Sequence, residues 1–159
     1  MALADVVTTQ GLLLVFMCNH CPYAKASWPL LIELHKNYGK QVMFVAVNSN
    51  DAATYPEDSF KEMQEKKKEW EIPFRYLYDT TQEVARAYQA QCTPDPYLFN
   101  IDEGTAKLYY HGRINDNWQH SEEACEHDLK EALEKLLSGE VPPKIQHPSM
   151  GCSIKWKTS

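Results

Sequence analysis

The sequence is short of positive charge, of long apolar runs and of glycine. Its 16 Lys and Arg residues stand against 22 Asp and Glu, a net charge of −6. That balance argues against the basic surface on which nucleic-acid binding depends. The one lysine run, Lys66-Lys67-Lys68, is flanked by Glu65 and Glu69 and reads as the solvated face of a helix. The apolar run from Leu12 to Met17 is far shorter than the ~20 residues that cross a bilayer. No Lys or Arg precedes Lys25, so the charged start of a signal peptide is missing. The expected address is cytoplasmic, with neither membrane nor nucleic acid as a partner. There is no glycine-rich phosphate loop, no internal repeat and no low-complexity segment. No Ser-His-Asp arrangement can be argued. His35, His111, His120, His127 and His147 lack the i,i+4 spacing of helical metal ligands and read as surface or loop residues.

What is present is an ordinary globular composition, 43% hydrophobic and 24% charged over 159 residues, enough for one buried core and most simply one domain. Cys18, Cys21, Cys92, Cys125 and Cys152 are odd in number and sparse, unlike a secreted disulfide scaffold.

The periodicity gives the order β-α-β-α-β-α-β-β-α. Residues 12–17 and 42–47 are short apolar runs that read as buried strands. Between them a helix opens near Asn19 or Pro22 and runs to about Asn37, with Gly39 just beyond it and a kink expected at Pro29. A loop, "NSNDAATYPED", leads to a helix from about Ser59 to Trp70 and then to a short strand, at an edge, or an extended segment over 74–78. Thr80 and Glu83 have capping-box spacing for a helix through Tyr88. Residues 96–101 and 107–112 read as a hairpin turning at Asp102-Glu103-Gly104. The last helix is expected from about Ser121 to Leu137, with Cys125 on its core face beside Leu129, Ala132 and Leu136, and the tail 139–159 as irregular. Alternating strands and helices imply an α/β fold, a central mixed β-sheet flanked by helices on both faces.

The chemistry concentrates in "VFMCNHCPYAK". Cys18 and Cys21 bracket the passage from strand to helix, where free backbone N–H groups and the helix dipole favour a thiolate. His20 lies between them and, as imidazolium, would favour the Cys18 thiolate further. Cys18 then attacks, Cys21 resolves, and His20 stabilises. Two buried structural thiols, or a metal site through Cys18, His20 and Cys21, are the alternatives. Zinc would want a second ligand pair at motif spacing, and the chain has none, so no metal is expected. In "QCTPDPYLF", the Thr93–Pro94 bond is a candidate cis peptide that would leave the Thr93 backbone free to pair with a substrate strand; Pro96 is the other candidate. Cys92 and Cys152 are possible auxiliary thiols.

These features resemble the thioredoxin superfamily. The strings "FMCNHCPYAKA", "AVNSNDAATYPEDSF", "YLYDTTQEVARAY", "CTPDPYLFN", "YYHGRINDNW" and "PSMGCSIKW" are similar, more narrowly, to its peroxiredoxin-related redoxin (AhpC/TSA-type) members. The resemblance runs from about Gly11 over nearly the whole chain. It implies one thioredoxin-like domain over 1–159, with its core at about 11–138. Family members usually carry a further N-terminal segment, so the chain reads as N-terminally shortened. The activity implied is thiol–disulfide oxidoreduction on protein or small-molecule disulfides, with Thr93 and Pro94 shaping the substrate edge. No cofactor is implied beyond a redox-active disulfide. The implied partners are a disulfide-containing protein or low-molecular-weight thiol and a reductant such as a thioredoxin or glutathione system. Peroxide reduction through Cys18, with Cys21 or Cys152 resolving, is the second enzymatic expectation; a metal- or partner-binding module is the third. The peroxidatic pattern Pro-x-x-x-Thr-x-x-Cys is departed from at Gly11 and Val15. The Trp and buried Asp of thioredoxins are replaced by Met17 and Leu12. A His before the second cysteine resembles disulfide isomerases and oxidases, which implies a relatively oxidising pair.

Overall fold

The computed structural model describes residues 9–158; the expected N-terminal shortening lies outside them. The elements are β1 (Gly11–Phe16), α1 (Pro22–Tyr38), β2 (Val42–Asn48), α2 (Phe60–Glu69), β3 (Arg75–Tyr78), α3 (Glu83–Tyr88), β4 (Cys92–Thr93), β5 (Asp95–Asp102), β6 (Thr105–His111), α4 (Asp128–Leu137) and β7 (Cys152–Ser153). Five strands form one sheet in the order β3-β2-β1-β5-β6, and β4 and β7 form a separate two-stranded ladder. β1 runs parallel to β2 and antiparallel to β5, so the sheet is mixed as the sequence implies.

β1 is apolar throughout because it is the central strand and both of its faces are covered. Leu13 and Val15 point into a core shared with Trp28 and Leu31 of α1 and Leu129 and Leu133 of α4. Leu12, Leu14 and Phe16 point the other way, toward Ala85 of α3, Tyr97 and Ile154. The β5–β6 hairpin turns where expected, with Glu103 and Gly104 at φ 50° and 78°, the left-handed pair that suits the twist of a two-residue hairpin.

Five local expectations give way. The helix from Ser121 does not form as one piece: a short 3₁₀ turn at Ser121–Glu123 is followed by α4 only from Asp128. The intervening backbone is held instead by the segment after β6, with Cys125 N–H donating to Asp116 Oδ1, Asp116 N–H to the Glu126 carbonyl and Leu129 N–H to the Ile114 carbonyl. Cys125 is therefore an exposed free thiol, not a core residue. At α3 the Thr80–Glu83 capping box is replaced by Asp79, whose buried carboxylate accepts from Val84 N–H and Ala85 N–H. The tail is not wholly irregular, because β7 pairs with β4. Finally, His111 stacks on Tyr97 at 4.0 Å and its Nε2 lies 2.7 Å from Asp95 Oδ1, so it is a packed residue and not a plain surface one. Among the described residues no helix is long and apolar enough to cross a membrane.

Candidate active site

The site is assembled at the ends of β1 and β2 and the start of α1. Cys21 caps α1, and Pro22 occupies its first turn, where a missing N–H costs nothing. That places Cys18 just beyond the end of β1, where the neighbouring backbone N–H groups of His20 and Cys21 favour its thiolate. The Trp28 indole N–H donates to the Cys18 carbonyl at 3.2 Å and ties the loop to α1. Opposite stands the Thr93–Pro94 peptide, which is cis as expected. The Thr93 hydroxyl is 3.3 Å from Cys18 Sγ, and the Cys21 Sγ is 3.8 Å from the Thr93 carbonyl. The structure thus brings Cys18, His20, Cys21, Thr93 and Pro94 together.

The bond between cysteines is another matter. Cys21 is joined to Cys152 of the tail, and Cys18 is a free, buried thiol. Cys152 lies opposite Thr93 in the antiparallel β4–β7 register, so the Thr93 backbone expected to be open is paired with the chain's own tail. The approach is close enough to require Gly151: a Cβ there would collide with the Thr93 carbonyl oxygen. Ile154 is buried against Phe16 and Val47. Lys155 N–H donates to Asn50 Oδ1, and Lys157 N–H donates to Gln82 Oε1. The Gln82 amide in turn donates to the Ser49 and Lys155 carbonyls. Cys92, next to Thr93, faces Ser153 and forms no disulfide; burial, with the Asp95 charge, pushes its thiol up to about 12.

A buried carboxylate stands beside the pair: His20 Nδ1 contacts the fully buried carboxylate of Asp58. Burial, reinforced by the Asp58 charge, pushes the Cys18 thiol from 9.0 to about 11. The hydrogen bonds from Thr93, Cys21 and His20 favour the thiolate but are outweighed. Cys18 is held protonated in this closed arrangement.

Asp58 is the residue that sequence reading missed. Its Oδ1 accepts from Asn19 N–H at 2.7 Å and its Oδ2 from the Asn50 amide at 2.9 Å. The Tyr76 hydroxyl donates to Asn19 Oδ1 at 2.9 Å, completing a buried polar cluster. A signal existed: "NSNDAATYPED" is a dense polar stretch directly after a buried parallel strand, and sites in open α/β sheets gather at the carboxyl ends of such strands. Thioredoxin's carboxylate position is Leu12, on β1; here the carboxylate beside the cysteines comes from the loop after β2. Cys18, His20 and Asp58 have donor atoms mutually within 4.8 Å and could hold a metal ion, as could the more exposed Glu126, Asp128 and His147. In the first group both Asp58 oxygens are already engaged.

Two solved structures are similar over essentially the whole chain. An uncharacterised conserved protein from Geobacillus kaustophilus is 44% identical, with 98% of this chain and 82% of that one aligned at a TM-score of 0.89. A hypothetical protein from Sinorhizobium meliloti 1021 is 34% identical, covering 100% and 86% at 0.91. At the level of the fold alone, a thioredoxin-like protein solved in its oxidised form aligns at 17% identity and a TM-score of 0.69, covering 88% and 86%. No curated protein matches the sequence. The model of the AhpC/TSA family matches residues 1–108, and with its thioredoxin-like fold the chain belongs to that family.

Proposed function

We propose that the protein is a thiol–disulfide oxidoreductase in which Cys18 attacks a substrate disulfide and Cys21 resolves the mixed disulfide. The observation that carries this reading is the convergence of Cys18 and Cys21 on Thr93. The Cys18 thiolate forms a bond to one substrate sulfur while the other leaves as thiolate. Cys21 then attacks Cys18 and releases the second substrate sulfur. The Thr93 hydroxyl and the N–H groups of His20 and Cys21 stabilise the Cys18 thiolate as it forms and leaves. The substrate is a disulfide in a protein or a small molecule. The reductant is a thioredoxin or glutathione system, and no organic cofactor is needed.

With the tail docked, burial and the Asp58 charge disfavour the Cys18 thiolate. The direction in which the Cys18–Cys21 couple works is set by its reduction potential: a value near about −270 mV marks a reducing pair, and one near about −180 to −120 mV an oxidising one. Equilibration against glutathione with thiol-labelling mass spectrometry measures it. The direct test is insulin reduction coupled to a thiol reductant. Cys18→Ser should lose activity, and Cys21→Ser should trap a mixed disulfide on Cys18. Reduction that survives Cys18→Ser overturns the reading.

A further inference from the structure

The tail lies where a substrate strand would lie. Residue 152 is a cysteine, it is opposite Thr93, and its sulfur is bonded to Cys21. Gly151 lets the tail backbone reach the cis-proline loop. Ile154 anchors the rest of the tail by burial, and Lys155 and Lys157 anchor it through Asn50 and Gln82. None of this placement is needed to close a Cys18–Cys21 dithiol. It leaves Cys18, the attacking residue of the proposed reaction, as the one thiol of the three.

We propose that Cys152 is a third catalytic cysteine, carried on an intramolecular substitute for the substrate strand, that takes over the disulfide from Cys21 and returns Cys18 to its thiol. This rests on the reading of Cys18 and Cys21 given above. After Cys21 has resolved the mixed disulfide, a Cys18–Cys21 bond stands at the site. The Cys152 thiolate attacks the Cys21 sulfur, a Cys21–Cys152 bond forms, and the Cys18–Cys21 bond breaks. The electron pair stays on Cys18, which takes up a proton as the site closes. Over the sequence one substrate disulfide becomes two thiols, and two electrons leave Cys21 and Cys152. An external dithiol or thiol then reduces Cys21–Cys152. The oxidising equivalent is thus moved from the substrate-facing sulfur to the tail, and an oxidised protein still carries an intact Cys18 thiol. The burial and protonation of Cys18 in the docked state keep it from attacking the new disulfide in reverse.

The experiment is a single turnover. Fully reduced full-length protein is mixed with one equivalent of oxidised glutathione or of insulin, quenched with acid, and mapped by differential alkylation and mass spectrometry. In the wild type the expected end point is loss of free thiol at Cys21 and Cys152 with Cys18 still labelled. An early Cys18–Cys21 species should rise and decay. In Cys152→Ser the reaction should stop at Cys18–Cys21. Gly151→Ala keeps every cysteine but forces a Cβ into the Thr93 carbonyl, and should shift the end point from Cys21–Cys152 toward Cys18–Cys21. A wild-type end point of Cys18–Cys21 overturns the proposal and leaves the dithiol reading standing. So does an unchanged Cys21–Cys152 end point in Gly151→Ala. Failure of Cys21→Ser to trap any mixed disulfide on Cys18 removes both.

Discussion

Opening the Cys21–Cys152 bond should cost the protein several kcal/mol of stability. The two cysteines are 131 residues apart in sequence, so their bond restricts most of the unfolded chain. The chain-entropy estimate for a loop of that length is about 5 kcal/mol, and measured effects fall below it when the reduced denatured state keeps structure. A loss of roughly 2–5 kcal/mol is therefore expected. At about 3 °C per kcal/mol for a chain of this size, the midpoint should fall by roughly 6–15 °C. The assay is thermal unfolding followed by tryptophan fluorescence, for which buried Trp28 is a reporter, with and without a phosphine reductant. Mass spectrometry of the same samples reports the state of the bond. Cys152→Ser without reductant should behave as the reduced wild type does. Cys125→Ser should match the oxidised wild type, since Cys125 is exposed and unbonded. Coincident curves for samples shown to be oxidised and reduced would refute the reasoning.

Two further perturbations probe the site. Asp58→Asn removes the buried charge beside Cys18 and sets an amide nitrogen against the Asn50 amide donor. It should destabilise by about 1–3 kcal/mol and move the pH profile of Cys18 alkylation in the reduced protein to lower pH; an unmoved profile removes Asp58 from the electrostatics of the site. Alkaline pH should weaken the fold through Cys18 itself. Its folded value, about 11, lies above the ordinary 9.0, so the folded state binds the proton more tightly. That contribution is complete below pH 9 and is lost as pH rises through 11, by about 2–3 kcal/mol. The difference between wild type and Cys18→Ser, which cancels the tyrosines, should show that loss, and a flat difference contradicts it.

The sheet and the cysteine–proline geometry are legible in the sequence because they arise from short-range pattern. A six-residue apolar strand, a cysteine capping a Pro-initiated helix and an X-Pro before a strand each say locally what they will do. The Asp79 cap of α3 aside, the departures are places where another segment supplies the partner. The α4 region reads as helical from Ser121 by periodicity, but hydrogen bonds to Ile114 and Asp116 take its first turns. Asp58 enters the site from a loop 40 positions beyond Cys18 in the chain, and no spacing rule connects the two. Cys152 reads as one thiol among several on a tail without periodicity; only the β4–β7 register and the buried Ile154 place it on Cys21. His20 is expected from sequence to act on Cys18 directly, and the buried carboxylate it meets is again a long-range contact.

On the proposed function, with a substrate strand pairing at Thr93, the β4–β7 ladder makes the tail a tethered competitor for that strand. A tethered ligand acts at a local concentration of millimolar order, and here the covalent bond to Cys21 makes it permanent until a reductant arrives. Once the bond opens, burial of Ile154, worth about 1.5–3 kcal/mol, still holds the tail down. A visitor's apparent affinity is divided by the fraction of time the edge is bare, a penalty of roughly 10- to 150-fold from that side chain alone. Access to the site is thus set by the redox history of one bond, and the partners it admits are those whose strands outcompete its own.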